Sequence, residues 1–142
     1  DQPFNISGLD DGPHTIQFYS VDYFENEESV KNQTVYLDST APNISTPIRY
    51  PIGDIEIGQE VMIFVNIADS GSGVGETFLD YSLDNGTNWI IVDMDYNSTT
   101  GFYEGAIPAQ STNMSVIYEI SANDNVDNVI GQASLLANIR KQ

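Results

Sequence analysis

Strict alternation of apolar and polar residues is the feature of this sequence that most limits its fold. Between residues 60 and 68 every second residue is Val or Ile, and residues 115–122 alternate in the same way. Successive side chains of a strand point to opposite faces, so this pattern buries one face of each strand. No segment shows a sustained apolar period of 3.6 residues, which a helix would require. The sequence therefore predicts an all-β fold.

Shorter runs predict further strands, and turn residues separate them. The Asn85-Gly86 pair tolerates the positive φ angles of a type I′ turn, which predicts a hairpin. About seven antiparallel strands in roughly 100 residues are typical of an immunoglobulin-like β-sandwich, with Trp89 packed between the sheets. We expect the last run to form an edge strand. The additional predicted strands are Asn43–Tyr50, Thr77–Leu83, Asn88–Asp93, Phe102–Pro108 and Gln132–Ile139.

The first part of the chain repeats its last part at an offset of 102 residues, which aligns His14 with Val116. A strand, a loop and a second strand are duplicated, as in repeat architectures. We therefore predict that residues 1–42 form the closing hairpin of one module plus a linker, and that residues 43–142 form a complete module. Two strands alone are marginally stable in water, so preceding chain, a neighbouring subunit or the complete module must cover the hairpin.

The charge balance restricts the partners. The chain has 21 acidic residues against 4 Lys plus Arg, a formal net charge of -17. It cannot assemble the basic patch that nucleic acids require, and anionic membrane surfaces are disfavoured for the same reason. A run of about 18 apolar residues is absent, so we expect no direct membrane insertion. Cysteine is also absent, which removes disulfides and thiolate metal sites.

Six Asn-x-Ser/Thr sequences indicate an extracellular location. Roughly two would be expected by chance in a chain of this composition, so six is an excess that favours N-linked glycans. An Asn-rich and Ser/Thr-rich β protein also produces such sequences by accident, and this alternative stays open. The predicted glycosylation sites are Asn5, Asn32, Asn43, Asn85, Asn97 and Asn113.

Acidic residues cluster in predicted loops, which suggests a calcium site. Calcium takes 6 to 8 oxygen ligands, largely carboxylates and backbone carbonyls. Because the loops of a sandwich alternate between its two ends, we expect these carboxylates to converge at the junction between the two modules. Asp also favours turns simply because its side chain bonds its own backbone. The predicted ligands are Asp10, Asp11, Asp38, Asp69, Asp124 and Asp127.

Several motifs resemble the tandem immunoglobulin-like repeats of prokaryotic cell-surface proteins and adhesins. They are GLDDGPHTI at residues 8–16, SVD at 20–22 and DSTAP at 38–42. The second module is similar to fibronectin type III-like repeats in IADSGSGV, DYSLDNGTNW, FYEGAIPA and YEISANDNVDN, which follow in that order. Glu25 and Asp127 depart from the pattern, since many relatives have Gly there. The Asn and Ile content points to an archaeal surface layer or filament.

No constellation of residues predicts an enzyme. His14 is the sole histidine, so a catalytic relay has no second base, and we expect a surface or strand-end role for it. Asp93 and Asp95 could act as a pair of acids only across a cleft, and a hairpin on a narrow sandwich is expected to provide none.

The sequence therefore predicts a non-catalytic structural module at the cell surface, acting as spacer, surface-layer element or adhesive stalk. Its expected partners are neighbouring modules or subunits of the same assembly, and a glycan or other cell-surface ligand. Two alternatives remain: a filament subunit assembled by β-strand complementation, and an accessory carbohydrate-binding module of a secreted hydrolase. The second would use outward-facing aromatic residues: Tyr19, Tyr23, Phe24, Phe64 and Phe78.

Overall fold

A computed structural model describes residues 8–131 and 135–140. These residues form strands and turns, and the predicted all-β class is confirmed. In the part of the chain so described, no helix is long and apolar enough to cross a lipid bilayer. The chain divides into two compact units, residues 1–40 and residues 41–142.

Residues 8–40, the described part of the first unit, contain one antiparallel hairpin. Strand β1 (Gly12–Phe18) pairs with strand β2 (Lys31–Leu37). His14 lies opposite Val35 on one face, where both side chains are half-buried. The opposite face carries Tyr36, which is 75% exposed. The hairpin therefore has one face suited to packing and one suited to solvent.

The described residues of the second unit form the strands β3 (Asn43–Ile44), β4 (Ile48–Tyr50), β5 (Ile55–Glu56), β6 (Val61–Val65), β7 (Ile67–Ala68), β8 (Val74–Ser82), β9 (Ile90–Asp93), β10 (Asp95–Asn97), β11 (Phe102–Ile107), β12 (Met114–Asp124), β13 (Val129–Gly131) and β14 (Leu135–Arg140). These strands make three sheets. A four-stranded sheet has the order β10-β11-β6-β4, and a larger sheet has the order β5-β14-β12-β8-β9, with β13 also paired to β12. Strands β3 and β7 form a short two-stranded sheet.

The two large sheets share one hydrophobic core, which makes the second unit a β-sandwich. Alternate residues of β6 and β12 point inward, and Ile63 and Ile120 are both fully buried. Leu79 of β8 and Ile107 of β11 close the same core. Each such side chain contributes about 1.5–3 kcal/mol by leaving water. The alternation in the sequence thus marks the inner face of each strand.

The last strand does not lie at a sheet edge, so that prediction is wrong. Strand β14 pairs antiparallel with β12 on one side and parallel with β5 on the other, where Ile139 lies opposite Ile55. Strand β5 is only two residues long, and Ile55 is fully buried. A segment this short carries no alternation, so no sequence pattern indicates this strand.

Trp89 does not lie in the core, which corrects a second expectation. Its side chain is 38% exposed, and its Nε1 donates a hydrogen bond of 3.1 Å to the carbonyl oxygen of Gly86. The strand β9 begins one residue later, with Ile90 opposite Tyr81. Trp89 therefore belongs to the hairpin turn, where its ring covers backbone instead of filling the interior.

The hairpins β1–β2 and β12–β14 have the same register at an offset of 102 residues. His14 pairs with Val35, and Val116 pairs with Ala137. The four other pairs between β12 and β14 have counterparts between β1 and β2 at the same offset. The duplicated sequence thus forms a duplicated piece of backbone structure.

Replacement of Gly75 by Ala should destabilise the sandwich. A Cβ atom there would lie 2.6 Å from the carbonyl oxygen of Asp124, so the backbone would have to shift. We expect a loss of about 1–3 kcal/mol, which lowers the melting temperature by about 4–8 °C for each kcal/mol. Gly131→Ala is the control, because a Cβ there meets nothing within 4 Å. Equal melting of both variants would show that β8 and β12 do not approach this closely.

Candidate functional site

The loop after β12 is organised by one buried carboxylate. Asp124 is 2% exposed. Its Oδ1 accepts hydrogen bonds from the backbone N–H groups of Val126 (2.9 Å) and Asn128 (2.8 Å), and its Oδ2 accepts from Asn128 Nδ2 (2.7 Å). Asp127 completes the turn with a φ of 66°. The negative charge of Asp124 is therefore stabilised by hydrogen-bond donors of its own loop, and these hydrogen bonds do not require a bound cation.

The loop after β1 has the same hydrogen bonds, 102 residues earlier. Asp22 Oδ1 accepts from the N–H groups of Phe24 (2.8 Å) and Asn26 (2.9 Å), and Asp22 Oδ2 accepts from Asn26 Nδ2 (2.8 Å). Glu25 has a φ of 65°. Glu25 and Asp127 thus occupy the left-handed region that glycine favours. Many of the resembling repeats have glycine at these two positions. Although Glu25 and Asp127 replace it here, the two loops have the same hydrogen bonds and nearly the same positive φ.

A third loop of this type joins β8 to β9. Asp84 accepts from the N–H of Asn88 (2.8 Å) through Oδ1 and from Asn88 Nδ2 (2.6 Å) through Oδ2. Asn85 and Gly86 have φ angles of 58° and 85°, as the Asn-Gly pair predicts for a hairpin turn. An Asp followed four residues later by Asn is therefore a recurrent loop-forming device in this chain.

These hydrogen bonds hold the loop carboxylates in their ionised form. The side-chain amide of Asn26 is the main cause that lowers the pKa of Asp22 below its ordinary value, followed by the Asn26 N–H. The Asn88 N–H is the main cause that lowers the pKa of Asp84. Because donors favour the charged form, these loops gain stability above the ordinary Asp pKa and lose it as pH falls through the lowered value.

Two predicted calcium ligands come together in the second unit. One carboxylate oxygen of Asp69 and one of Asp124 lie within 4.8 Å of each other. Asp69 Oδ2 accepts from the N–H groups of Gly71 (2.9 Å) and Gly73 (2.7 Å), which folds the loop after β7. Asn125 ties the two loops together, because its N–H donates to the carbonyl oxygen of Gly73 (3.1 Å). The side chain of Asp127 is exposed.

The other three predicted ligands lie in the first unit. Asp11 accepts hydrogen bonds from the Ser39 N–H (2.9 Å), the Ser39 Oγ (2.8 Å) and the Thr40 Oγ1 (2.7 Å). The Thr40 hydroxyl, followed by that of Ser39, lowers the pKa of Asp11. Asp38 Oδ1 accepts from the Thr40 N–H (3.1 Å). Asp10 is exposed, and its carbonyl oxygen accepts from His14 Nε2 (2.7 Å) at the start of β1.

The predicted glycosylation sites differ in the exposure of their side chains. Asn97 is half-buried, and its Nδ2 donates to Glu104 Oε1 (3.0 Å). The exposed ones are Asn32, Asn43, Asn85 and Asn113, and Asn5 lies outside the described residues.

A shallow groove borders the two acids that were considered as a catalytic pair. Asp93 and Asp95 line it together with Tyr96 and Tyr103, and its volume is about 450 Å³. The groove is shallow and open, so the expectation that this hairpin offers no cleft between two facing acids stays a prediction. The chain passes here from β9 in one large sheet to β10 in the other, and between them the N–H of Met94 donates to the Thr77 carbonyl oxygen (2.9 Å).

Sequence reasoning missed one partly desolvated carboxylate, that of Asp80. Asp80 lies opposite Glu119 in the β8–β12 ladder, and its Oδ2 accepts from Ser121 Oγ (3.3 Å). Its Oδ1 is buried and has no hydrogen-bond partner among the described residues. Burial, with a smaller effect of Glu119, raises the pKa of Asp80. Only the strand register brings the two acids together, so no local motif could have revealed them.

Comparison with known proteins gives one partial similarity to a surface protein. No protein-family model matches this chain. Over 86 residues the chain is 34% identical to the hexagonally packed intermediate-layer surface protein of Deinococcus radiodurans. The match covers 58% of this chain and 9% of that protein, so this chain spans a small part of its length.

Replacement of Asn26 by Ala should raise the pKa of Asp22 toward the ordinary value, because the largest stabilising donor is removed. Carboxyl titration by NMR measures the change directly. Gln33→Ala is the control, since Gln33 Nε2 bonds only the neighbouring Thr34 carbonyl oxygen. An unchanged Asp22 titration in Asn26→Ala would contradict the role given to this loop hydrogen bond.

Proposed function

We propose that this chain is a non-catalytic structural repeat module of an extracellular surface assembly, acting as spacer, surface-layer element or adhesive stalk. The observation that carries the proposal is the duplicated hairpin, in which β1–β2 and β12–β14 share one register. Structural repetition of this kind is typical of chains that extend by adding modules. The partial similarity to a surface-layer protein supports the same role.

The first hairpin has the form of a module component that needs further strands. In the second unit β12 lies between β14 and β8, and Ile120 is fully buried. The counterpart of Ile120 in the first hairpin is Phe18, which is 48% exposed. A two-stranded sheet with exposed apolar residues gains stability by packing against additional strands. Neighbouring modules or subunits of the same assembly are therefore the proposed partners.

The acidic composition is tolerated where salt is present. Net charge of -17 produces strong self-repulsion, which dissolved salt weakens between charges more than about 8–10 Å apart. The loop aspartates add little to this cost, because backbone and Asn donors already stabilise their charges. An acidic surface of this kind also keeps repeated modules from associating nonspecifically.

The surface role is tested on intact cells of the native host. An antibody against this chain should label intact and permeabilised cells equally, and electron microscopy of the isolated envelope should show the label on its outer face. A cytosolic protein used as control should be labelled only after permeabilisation. Labelling of this chain that likewise requires permeabilisation would overturn the proposal.

Calcium binding by the loops after β7 and β12 is a second proposal. It is favoured by the short separation between carboxylate oxygens of Asp69 and Asp124, of which the latter is almost fully buried. Two like charges this close repel each other, and a divalent cation between them offsets the repulsion. Nearby backbone carbonyls can supply further oxygen ligands of the type that calcium uses.

Millimolar calcium should raise the melting temperature of the chain, and excess chelator should reverse the rise, because binding to the native state stabilises it. Asp69→Asn should reduce this calcium-dependent shift by about half or more, since it removes one charge from the pair. Asp93→Asn on β9 is the matched control and should leave the shift unchanged. A melting temperature that does not respond to calcium or chelator would remove the proposal.

A filament subunit is an alternative that the same hairpin favours. Among the described residues β1 pairs only with β2, and a free strand edge invites β-strand complementation by a neighbour. Sedimentation and hydrogen exchange of the purified chain distinguish a filament subunit from the repeat module proposed first. A monomer whose β1 and β2 amides are protected from exchange would not need a neighbour's strand and would contradict the filament alternative.

A carbohydrate-binding module is the alternative that ranks last. Tyr23 and Phe24 are 95% and 82% exposed, yet their ring planes lie at 85° to each other, which offers no flat stacking platform for a sugar. Phe64 and Phe78 are half-buried. A glycan array without binding would dispose of this alternative.

A further inference from the structure

The Asn-x-Thr sequence at Asn85 combines an exposed amide with a projecting position. Asn85 lies in the turn between β8 and β9 and has a φ of 58°. Its side chain is exposed and makes no hydrogen bond to any residue of 8–131 or 135–140. Thr87, two residues later, is also exposed. The Nδ2 atom of Asn85 is therefore accessible to an enzyme that modifies side-chain amides.

The turn keeps its shape without any contribution from the Asn85 side chain. Asp84 Oδ1 accepts from the Asn88 N–H (2.8 Å), and Ser82 Oγ accepts from the Gly86 N–H (2.8 Å). Trp89 Nε1 bonds the Gly86 carbonyl oxygen (3.1 Å). A substituent on Asn85 Nδ2 would break none of these bonds, so the folded hairpin tolerates a bulky group there.

The equivalent sequence at Asn97 provides the opposite case. It is also an Asn-x-Thr sequence in a hairpin, where Asn97 is the last residue of β10 and lies opposite Phe102 of β11. Asn97 is half-buried, its Nδ2 donates to Glu104 Oε1 (3.0 Å), and its Oδ1 accepts from the Thr99 N–H (2.9 Å). Attachment of a group to this nitrogen would disturb the bond to Glu104.

The acceptors Asn32 and Asn43 are also exposed but lie in strands, not in a turn. Asn32 lies within β2 beside Gln17 of β1, and Asn43 lies within β3 opposite Ala68. Ladder pairing fixes the backbone on both sides of these residues. A turn, by contrast, directs its central side chain away from the sheet.

Resting on the proposed extracellular role, we infer that Asn85 carries an N-linked glycan and that Asn97 carries none. The co-reactant is an oligosaccharide linked through phosphate to a lipid carrier. Asn85 Nδ2 forms a bond to C1 of the reducing-end sugar while the bond from C1 to the phosphate oxygen breaks. The lipid phosphate leaves with the electron pair, and the amide proton passes to a base of the transferase.

Mass spectrometry of intact glycopeptides from the protein purified from its native host tests this assignment. The peptide containing Asn85 should carry a glycan, and the peptide containing Asn97 should be unmodified. Intact glycopeptides are required because the side chain of an Asn that precedes Gly deamidates readily. Deamidation of Asn85 would produce the same mass change as enzymatic removal of a glycan. The variants Asn85→Gln and Thr87→Ala should each lose the glycan, whereas Thr87→Ser should retain it.

Asn97→Gln is the matched control and should leave the glycan mass of the protein unchanged. Circular dichroism of each variant separates a lost acceptor from a lost fold. A bare Asn85 in protein recovered from the cell surface would overturn the glycan assignment and leave the surface role intact. A glycan on Asn97 with Asn85 bare would overturn it as well. Protein confined to the cytosol and unmodified would overturn both.

Discussion

The shared interior of the two large sheets is the constraint on which the rest of the second unit depends. Ile63, Leu79, Ile107 and Ile120 are all fully buried in it, although they come from four different strands. Their burial fixes which face of each strand points inward, and that in turn fixes the ends at which the loops emerge. Asp124 lies at one such end, where the last inward-facing position of β12 holds a carboxylate instead of an apolar group.

The chain manages its large negative charge locally. In three loops an Asp accepts hydrogen bonds from the backbone and side chain of an Asn four residues later, and in each loop a residue of positive φ closes the turn. The donors belong to the same few residues as the charge, so no lysine or arginine is needed nearby. Asp80 shows the contrast: it is half-buried, its one hydrogen bond among the described residues comes from the hydroxyl of Ser121, and burial raises its pKa.

Duplication links the fold to the proposed role. The two hairpins share both their strand register and their loop hydrogen bonds, so the repeat is preserved at the level of individual donors and acceptors. Their burial differs, because further strands flank only the second hairpin within the described residues.

The sequence by itself determined the all-β class, most of the strand positions, the Asn85-Gly86 turn and the offset of the repeat. These features are local or periodic: alternation reports which face is buried, and Asn-Gly reports a positive φ, whatever the rest of the chain does. Only the tertiary structure decided that β14 lies inside its sheet, that Trp89 covers a turn, and that carboxylates of Asp69 and Asp124 approach each other. Those outcomes depend on pairing between segments distant in sequence, and short strands such as β5 carry too few residues for a pattern to encode their partners.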